Sequence, residues 1–372
     1  MKWNIYAKKI KVLMIVPNLR VSSGVTSFVM NYFRTIDHNK IQMDFAIYWD
    51  IQTPNYDEIK KDGGKVYILP SIKNIKDHLR VCKRIIREGN YDIVHDNTLL
   101  ISIGLMYYAQ KYNVPVRILH SHSSRLGETK VKELRNQLFM PLLRNSATNY
   151  CACSSVAAKS MFGNKDVTII PNMILANKYV FNQEIRKEVR EDFNVSGSFL
   201  VGTVGRLAPP KNPFYAIDCI IEAKKVIPNL QYWWIGSGPL DKQIKEYISD
   251  KKAGGYIHLL GSRSDVSKLY QAMDMFFLPS RFEGLGIAVL EAEATGLISL
   301  VSNEIPTEVA YTDLVIYFSL KNSPYQVANL MRRGINCKKD RKIYHQDLLK
   351  SIFSEQRAGS LLLSVYTKFL YK

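Results

Sequence analysis

A chain of 372 residues, 47% hydrophobic and 23% charged with 14 prolines, is globular in composition and long enough for two α/β domains. It shows no low-complexity tract, no internal repeat and no apolar run near the roughly 20 residues of a spanning helix, which argues against fibrous, disordered and membrane-spanning classes. The surplus of 51 Lys and Arg over 33 Asp and Glu, net +18, asks for an anionic partner and leaves a nucleotide sugar, an acidic lipid surface and nucleic acid all open.

Met1 to Tyr6 holds no apolar core of a signal peptide. The five cysteines form no paired framework, and a reducing cytoplasm is the expectation. Cys151 and Cys153 alternate on a strand and read as core, with no second Cys pair to complete a zinc site.

Ile10 to Pro17 reads as the first strand. The loop Asn18 to Val25, with Ser22-Ser-Gly24, and an amphipathic helix, Thr26 to Thr35, follow it. Strand, glycine loop and helix open a doubly wound fold. Further strands are expected at Met43–Tyr48, Lys65–Leu69, Ile93–His95, Val116–His120, Thr148–Ser154 and Val167–Ile170, with helices between them. Lys73, Lys76, Arg80, Lys83, Arg84 and Arg87 recur at helical spacing beside an apolar stripe of Ile72, Ile75, Leu79, Cys82 and Ile86. This pattern fits an ordinary surface helix, and it also fits a basic flank that meets an anionic bilayer. Lys130 to Arg144, with Leu134, Leu138, Phe139 and Leu142, adds a second such surface. Between them His120 and His122 end a strand, where α/β sheets present functional groups, and period two puts both imidazoles on one face if the strand continues. The pair also reads as two surface histidines of a loop, or as a His-x-His zinc pair with no other ligand evident.

Pro171-Asn172 closes the first half, and a polar helix, Gln183 to Phe193, leads into the second. Its strands are expected at Phe199–Val204, Tyr232–Ile235, Ile257–Leu260, Met275–Leu278 and Ser299–Val301. A closing helix spans Ser354 to Tyr371. After the first of these strands, Gly205, Arg206 and Lys211 lie on a loop that opens a helix near Pro213, and the two cations suit phosphate oxygens. After the apolar run Met273 to Pro279 comes a turn with Gly284 and Gly286 between Glu283 and Glu291. Such a turn aims backbone N–H groups at an anion from a helix N-terminus. Together the two loops suit a ligand with a sugar at one end and a diphosphate in the middle. Gly236-Ser-Gly238-Pro-Leu240 is a tight strand-to-helix turn that lacks the third glycine of a dinucleotide fingerprint.

Gly-Arg…Lys after one strand and Glu-Gly-Leu-Gly-x4-Glu-Ala after Phe-Leu-Pro-Ser closely resemble glycosyltransferase family 4. The resemblance covers nearly the whole chain. It implies an α/β GT-B fold of two Rossmann-like doubly wound domains with an interdomain cleft. Residues 1–175 would form an acceptor domain and 176–353 a nucleotide-sugar domain, with helix 354–372 packed back on the first. The resemblance implies a retaining transfer from a nucleoside diphosphate sugar, a UDP-sugar as first guess, to a glycan or lipid-linked acceptor. The pathway it implies is bacterial capsule, exopolysaccharide or lipopolysaccharide synthesis. Arg206 and Lys211 would neutralise the diphosphate, aided by backbone around Leu285, Gly286 and Ile287. Glu291 would hold the ribose and Glu283 the sugar. The family's substrate-contacting His matches His120 best, with His122 as understudy. Gly24, Gly205 and Gly236 would line the donor, the family's double glycine appearing here as Ser23-Gly24. Arg263 would border the nucleobase or remain a loop cation, and Glu308 would join the rim or start a helix.

No Asp-x-Asp occurs, so no obligatory metal and no cofactor are expected. Peripheral attachment at the inner face of the plasma membrane is expected from the basic helices. The rival readings are another GT-B enzyme, such as a UDP-sugar epimerase or a phosphorylase, and a nucleic-acid binder. The 22 tyrosines are scattered rather than interleaved with Lys and Arg, so a nucleic-acid partner is not expected.

Overall fold

The computed structural model describes residues 9–371 apart from 22, 128–129 and 336–339; the Met1–Tyr6 segment and Ser22 lie outside that description. The chain forms two compact units, Met1–Met173 with Glu355–Lys372, and Ile174–Ser354.

The first unit holds β1 (Ile10–Val16), β2 (Ile41–Ile47), β3 (Val66–Ile68), β4 (Ile93–Asp96), β5 (Val116–Ser121), β6 (Asn149–Ala152) and β7 (Val167–Ile169). Its helices are α1 (Gly24–Thr35), α2 (Pro54–Lys61), α3 (Ile75–Gly89), α4 (Ile103–Lys111), α5 (Lys130–Ser146) and α6 (Ser155–Phe162). The strands are short apolar runs because helices cover both faces of a parallel sheet. Their order is β3-β2-β1-β4-β5-β6-β7, and every pair is parallel. Sequence order therefore reverses between β1 and β4, and a crevice opens beyond their C-terminal ends.

The second unit holds β8 (Phe199–Val204), β9 (Leu230–Ile235), β10 (Ile257–Gly261), β11 (Met275–Leu278), β12 (Ile298–Ser302) and β13 (Val315–Phe318). Its helices are α7 (Gln183–Asp192), α8 (Pro213–Val226), α9 (Asp241–Asp250), α10 (Val266–Ala272), α11 (Ile287–Ala294), α12 (Pro324–Gly334) and α13 (Tyr344–Lys350). The order β10-β9-β8-β11-β12-β13 puts its reversal between β8 and β11. A half-buried Asp274 ties together the base of this unit, taking Arg186, Arg190 Nη1 at 3.2 Å and the Leu200 amide at 2.7 Å.

The last helix, α14 (Glu355–Leu370), returns to the first unit and packs on α1. Gly359 permits that crossing, since a Cβ there would stand 2.3 Å from the Thr35 carbonyl oxygen. Two elements depart from the sequence expectation. β13 was not anticipated, because a four-residue, half-exposed edge strand carries little periodic signal. On α3 the core face is His78, Cys82, Ile85 and Ile86, while Ile72 and Ile75 stand exposed. The expected stripe is thus wrong at its start, since Ile72 precedes the helix and Ile75 is its first residue.

Glu293 on α11 is wholly buried, and one carboxylate oxygen takes the Thr312 amide at 3.0 Å and hydroxyl at 2.5 Å. Burial pushes its carboxyl up to about 8, against the hydrogen bonds from Thr312. A group raised in the folded state contributes stability that is full at acid pH and is lost as pH climbs through the raised value. The melting temperature of the wild type should therefore fall between about pH 4.5 and about pH 8 relative to Glu293→Gln, which keeps the acceptor for Thr312 without the ionisation. Parallel curves in differential scanning calorimetry would show that the carboxyl is not held up.

Candidate active site

In the second unit the reversal of strand order sends the loop after β8 and the loop after β11 to the same crevice. Lys211 comes from the first and Glu283 from the second. Lys211 Nζ lies 2.5 Å from Glu283 Oε1, which also accepts from Ser280 Oγ at 2.6 Å. Both side chains are mostly buried, 20% and 13% exposed, so the pair is poorly screened by solvent. Arg281 ties the loops together. Its amide donates to the Pro210 carbonyl at 2.7 Å, and its guanidinium reaches Asn212 Oδ1 at 3.1 and 3.2 Å. Arg206 is exposed on the same loop.

Backbone closeness explains the glycines. Trp234 Nε1 donates to the Gly205 carbonyl at 2.8 Å and pins the start of the loop. A Cβ on Gly236, which sits at φ +128°, would stand 2.3 Å from the Gly205 oxygen. One on Gly238 would meet the Leu207 oxygen at 2.3 Å. The β9 turn therefore packs directly on the β8 loop, and any side chain would wedge them apart. Leu285 is buried, and Gly286 at φ +103° starts α11 with no side-chain cap. The Ile287 end of α11 can thus offer first-turn N–H groups to an anion.

Glu291 lies one turn into α11 and is bracketed by two tyrosines. Tyr179 Oη donates at 2.7 Å to one carboxylate oxygen and Tyr270 Oη at 3.0 Å to the other. Burial raises its carboxyl and the tyrosine hydrogen bonds work against that rise. Neither tyrosine was singled out from the sequence. Arg263 turns back on its own loop, where Asp265 takes its Nε at 2.8 Å and Nη2 at 2.6 Å. Its guanidinium lies 5.8 Å from the Phe193 ring centre. Glu308 is exposed in a single turn, Thr307–Val309.

In the first unit the crevice beyond β1 and β4 holds a stack of imidazoles. His95 and His120 stack at 5.2 Å between centres, and His120 and His122 at 4.2 Å. Phe28 of α1 sets its ring against the last two at 4.9 and 4.6 Å. His120 is wholly buried, whereas His122 keeps exposed surface. The expectation that His120 touches substrate is therefore corrected: the imidazole at the rim is His122, and His120 lies beneath it. His122 Nε2 meets Asn97 Oδ1 at 2.8 Å, and Asn97 is oriented by its own amide donating to the Ile15 and His95 carbonyls at 3.3 Å. A neutral His122 then donates from Nε2 and keeps Nδ1 as an acceptor. Below, His95 joins His120 Nδ1 at 3.0 Å and Tyr366 Oη of α14 at 2.8 Å. Gly24 begins α1 at the same crevice, with Ser23 Oγ accepting from Thr26 N and open space where a Cβ would be. Among the described residues no group of three or more His, Cys, Asp or Glu is placed to hold a metal ion.

Residues 185–346 match the family model described as Glycosyl transferases group 1. The chain is 27% identical over 356 residues to the Bacillus subtilis (strain 168) protein named putative glycosyltransferase EpsF, covering 92% of this chain and 93% of that one. It is 29% identical over 262 residues to the UDP-Gal:alpha-D-GlcNAc-diphosphoundecaprenol alpha-1,3-galactosyltransferase of Escherichia coli, covering 65% and 67%. Among solved structures, Anabaena HepE in complex with UDP and glucose aligns with a TM-score of 0.80 at 14% identity, over 96% of this chain and 99% of that one. At that identity the likeness speaks for the fold.

Burial pulls His95 and His122 down to about 3 and His120 well below its ordinary value, with charge repulsion between the rings adding to the fall for His95 and His120. All three are neutral at pH 7. Nitrogen-15 NMR of the histidine side chains should show them neutral from pH 5 to pH 8. Because their folded values are depressed, stability should fall as pH drops below the ordinary histidine value toward 3. Tyr366→Phe removes the hydroxyl partner of His95 Nδ1 and should redistribute the tautomers of His95 and His120. A stack that titrates near pH 6.5, or tautomers indifferent to Tyr366→Phe, would contradict the arrangement.

Proposed function

We propose that the chain is a GT-B glycosyltransferase that moves a sugar from a UDP-sugar to a glycan or lipid-linked acceptor in the synthesis of a bacterial surface polysaccharide, a reading supported by the family model, the relatives and the fold. One observation carries the donor assignment: Lys211 and Glu283, from two loops, converge beside the uncapped start of α11. A diphosphate needs cations and N–H donors, and a sugar needs a carboxylate acceptor beside them. The Escherichia coli relative, named for UDP-Gal and a diphosphoundecaprenol-linked acceptor, supports this choice of donor and acceptor.

The roles follow from the groups. Lys211 and Arg206 neutralise the departing diphosphate, and backbone N–H groups around Leu285 to Ile287 join them. Glu291 holds the ribose hydroxyls, its carboxylate turned by Tyr179 and Tyr270. Glu283 accepts from sugar hydroxyls once the diphosphate draws Lys211 toward itself. His122 contacts the transferred sugar through Nδ1. Gly24, Gly205 and Gly236 leave backbone open to close approach.

Transfer proceeds with retention by a front-face route. The acceptor oxygen bonds to the anomeric carbon as the carbon–oxygen bond to the diphosphate breaks, and the acceptor's proton passes to the leaving phosphate oxygen. Charge stabilisation by Lys211 and Arg206 makes a metal ion dispensable. The enzyme works peripherally at the cytoplasmic face of the plasma membrane, where a lipid-linked acceptor is reached.

The test is a panel of UDP-, GDP-, dTDP- and ADP-sugars in EDTA, with and without membrane extract, while released nucleoside diphosphate is followed. Release from one UDP-sugar, raised by the extract, is expected. Lys211→Ala should lower turnover by roughly 100-fold or more, the scale of losing one charge-stabilising group. His122→Ala should lower turnover with UDP affinity kept. Turnover that appears only with added Mg²⁺ would overturn the metal-independent route, and turnover of a different nucleotide alone would overturn the UDP assignment.

A further inference from the structure

Helix α5 is apolar on two opposite faces. Met140 and Leu143 point inward to the core shared with α3 and α4. Val131, Leu134, Leu138 and Leu142 recur three or four residues apart on the other side, 79%, 70%, 73% and 55% exposed. Phe139, 40% exposed, widens the stripe, and Arg135 borders it. Nothing in the first unit covers this stripe among the described residues. A stripe of this size facing water costs solubility unless something covers it.

Its neighbours indicate what covers it. α5 packs on α4 and α4 on α3, so the three form one layer on one face of the sheet. On α4, Tyr107 is exposed with Lys111 Nζ 6.0 Å from its ring centre, a pairing of amphipathic ring and long cation that suits the depth of lipid headgroups. On α3, Lys76, Arg80, Lys83, Arg84 and Arg87 are exposed. The layer thus grades from cationic through aromatic to apolar. No described helix is long and apolar enough to cross a membrane, so α5 would lie in the interface plane.

We propose that the α3–α4–α5 layer is the membrane-docking face of this enzyme, with the α5 stripe inserted among acyl chains and the α3 cations set on anionic headgroups. The inference deepens the proposed lipid-linked acceptor and rests on that reading for its purpose. The row of α3 cations beside the apolar stripe suits an anionic surface, whereas it offers no complementary charge to a second copy of itself. The layer also lies near the site. Seven positions of sequence, 123–129, separate His122 from α5, and α5 packs on the Leu99–Ser102 turn that follows β4 and Asn97. A lipid held here would carry its headgroup toward the rim where His122 stands.

The test is flotation of the full chain with phosphatidylcholine vesicles and with vesicles that also contain phosphatidylglycerol, at low and high salt. Binding is expected to the anionic vesicles and to weaken with salt. Leu134→Ser with Leu138→Ser should lower partitioning by at least roughly tenfold at every salt concentration. Lys83→Glu with Arg87→Glu should remove the salt-dependent part. All four positions are exposed, so melting temperatures should be unchanged. Donor turnover without vesicles is read on the same samples and should be unaffected by either variant. Vesicle binding that survives the leucine changes would overturn the assignment to α5. So would a dimer in sedimentation that these changes dissolve while wild type ignores vesicles. Either result with donor turnover intact leaves the transferase reading standing, whereas loss of turnover in the wild type with flotation intact would sink that reading and spare the docking face.

Discussion

The order of the parallel strands is the constraint on which everything else depends. A parallel strand must hand its chain to a crossover on one face of the sheet. Where neighbouring strands send their crossovers to opposite faces, the connecting loops diverge and leave a crevice. Each unit has one such place, between β1 and β4 and between β8 and β11. Lys211 and Glu283 meet because one follows β8 and the other β11. Asn97 and the histidines meet because β4 and β5 end side by side. Neither group could be assembled by a single loop.

The electrostatics of the two crevices differ in kind. In the second unit the site carries opposite charges that satisfy each other before a ligand arrives. At about 4 Å and an effective dielectric of 20, two unit charges interact by about 4 kcal/mol. On the proposed reading, a diphosphate brings more than one negative charge, so it would compete for Lys211 and release Glu283 for hydroxyl groups. The pair is thus a place-holder that keeps either charge from being buried alone, which would cost several kcal/mol. In the first unit, burial strips the charge from three imidazoles instead. Neutral rings can stack closely, as protonated ones could not, and the rim ring can then accept a hydrogen bond from a sugar hydroxyl.

What was legible in the sequence was local. The strands could be read because burial on both faces demands short apolar runs. The glycine loops could be read because a backbone at positive φ, as at Gly236 and Gly286, favours glycine. Period two placed His120 and His122 on one face but could not say which was the deeper. That depends on Phe28 and on the packing above, which are tertiary facts. The supporting partners were hidden for the same reason. Tyr366 reaches His95 across 271 positions and Tyr179 reaches Glu291 across 112. No window of sequence joins such pairs. Trp234 reads as a core residue, and only the fold reveals that its indole N–H holds the Gly205 carbonyl.

The return of α14 to the first unit ties these strands of argument together. It places Tyr366 under the histidine stack while its backbone crosses α1 at Gly359. If the Tyr366 hydroxyl donates to His95 Nδ1, the proton of His120 sits on Nε2; if it accepts from Nδ1–H, His120 Nε2 is a bare lone pair. In both arrangements that nitrogen is buried with no hydrogen-bond partner among the described residues. An unpaired buried polar group costs roughly 1–3 kcal/mol, so this stack is not built for stability alone. The cost is tolerable if the stack must keep its rim ring in one orientation and one protonation state.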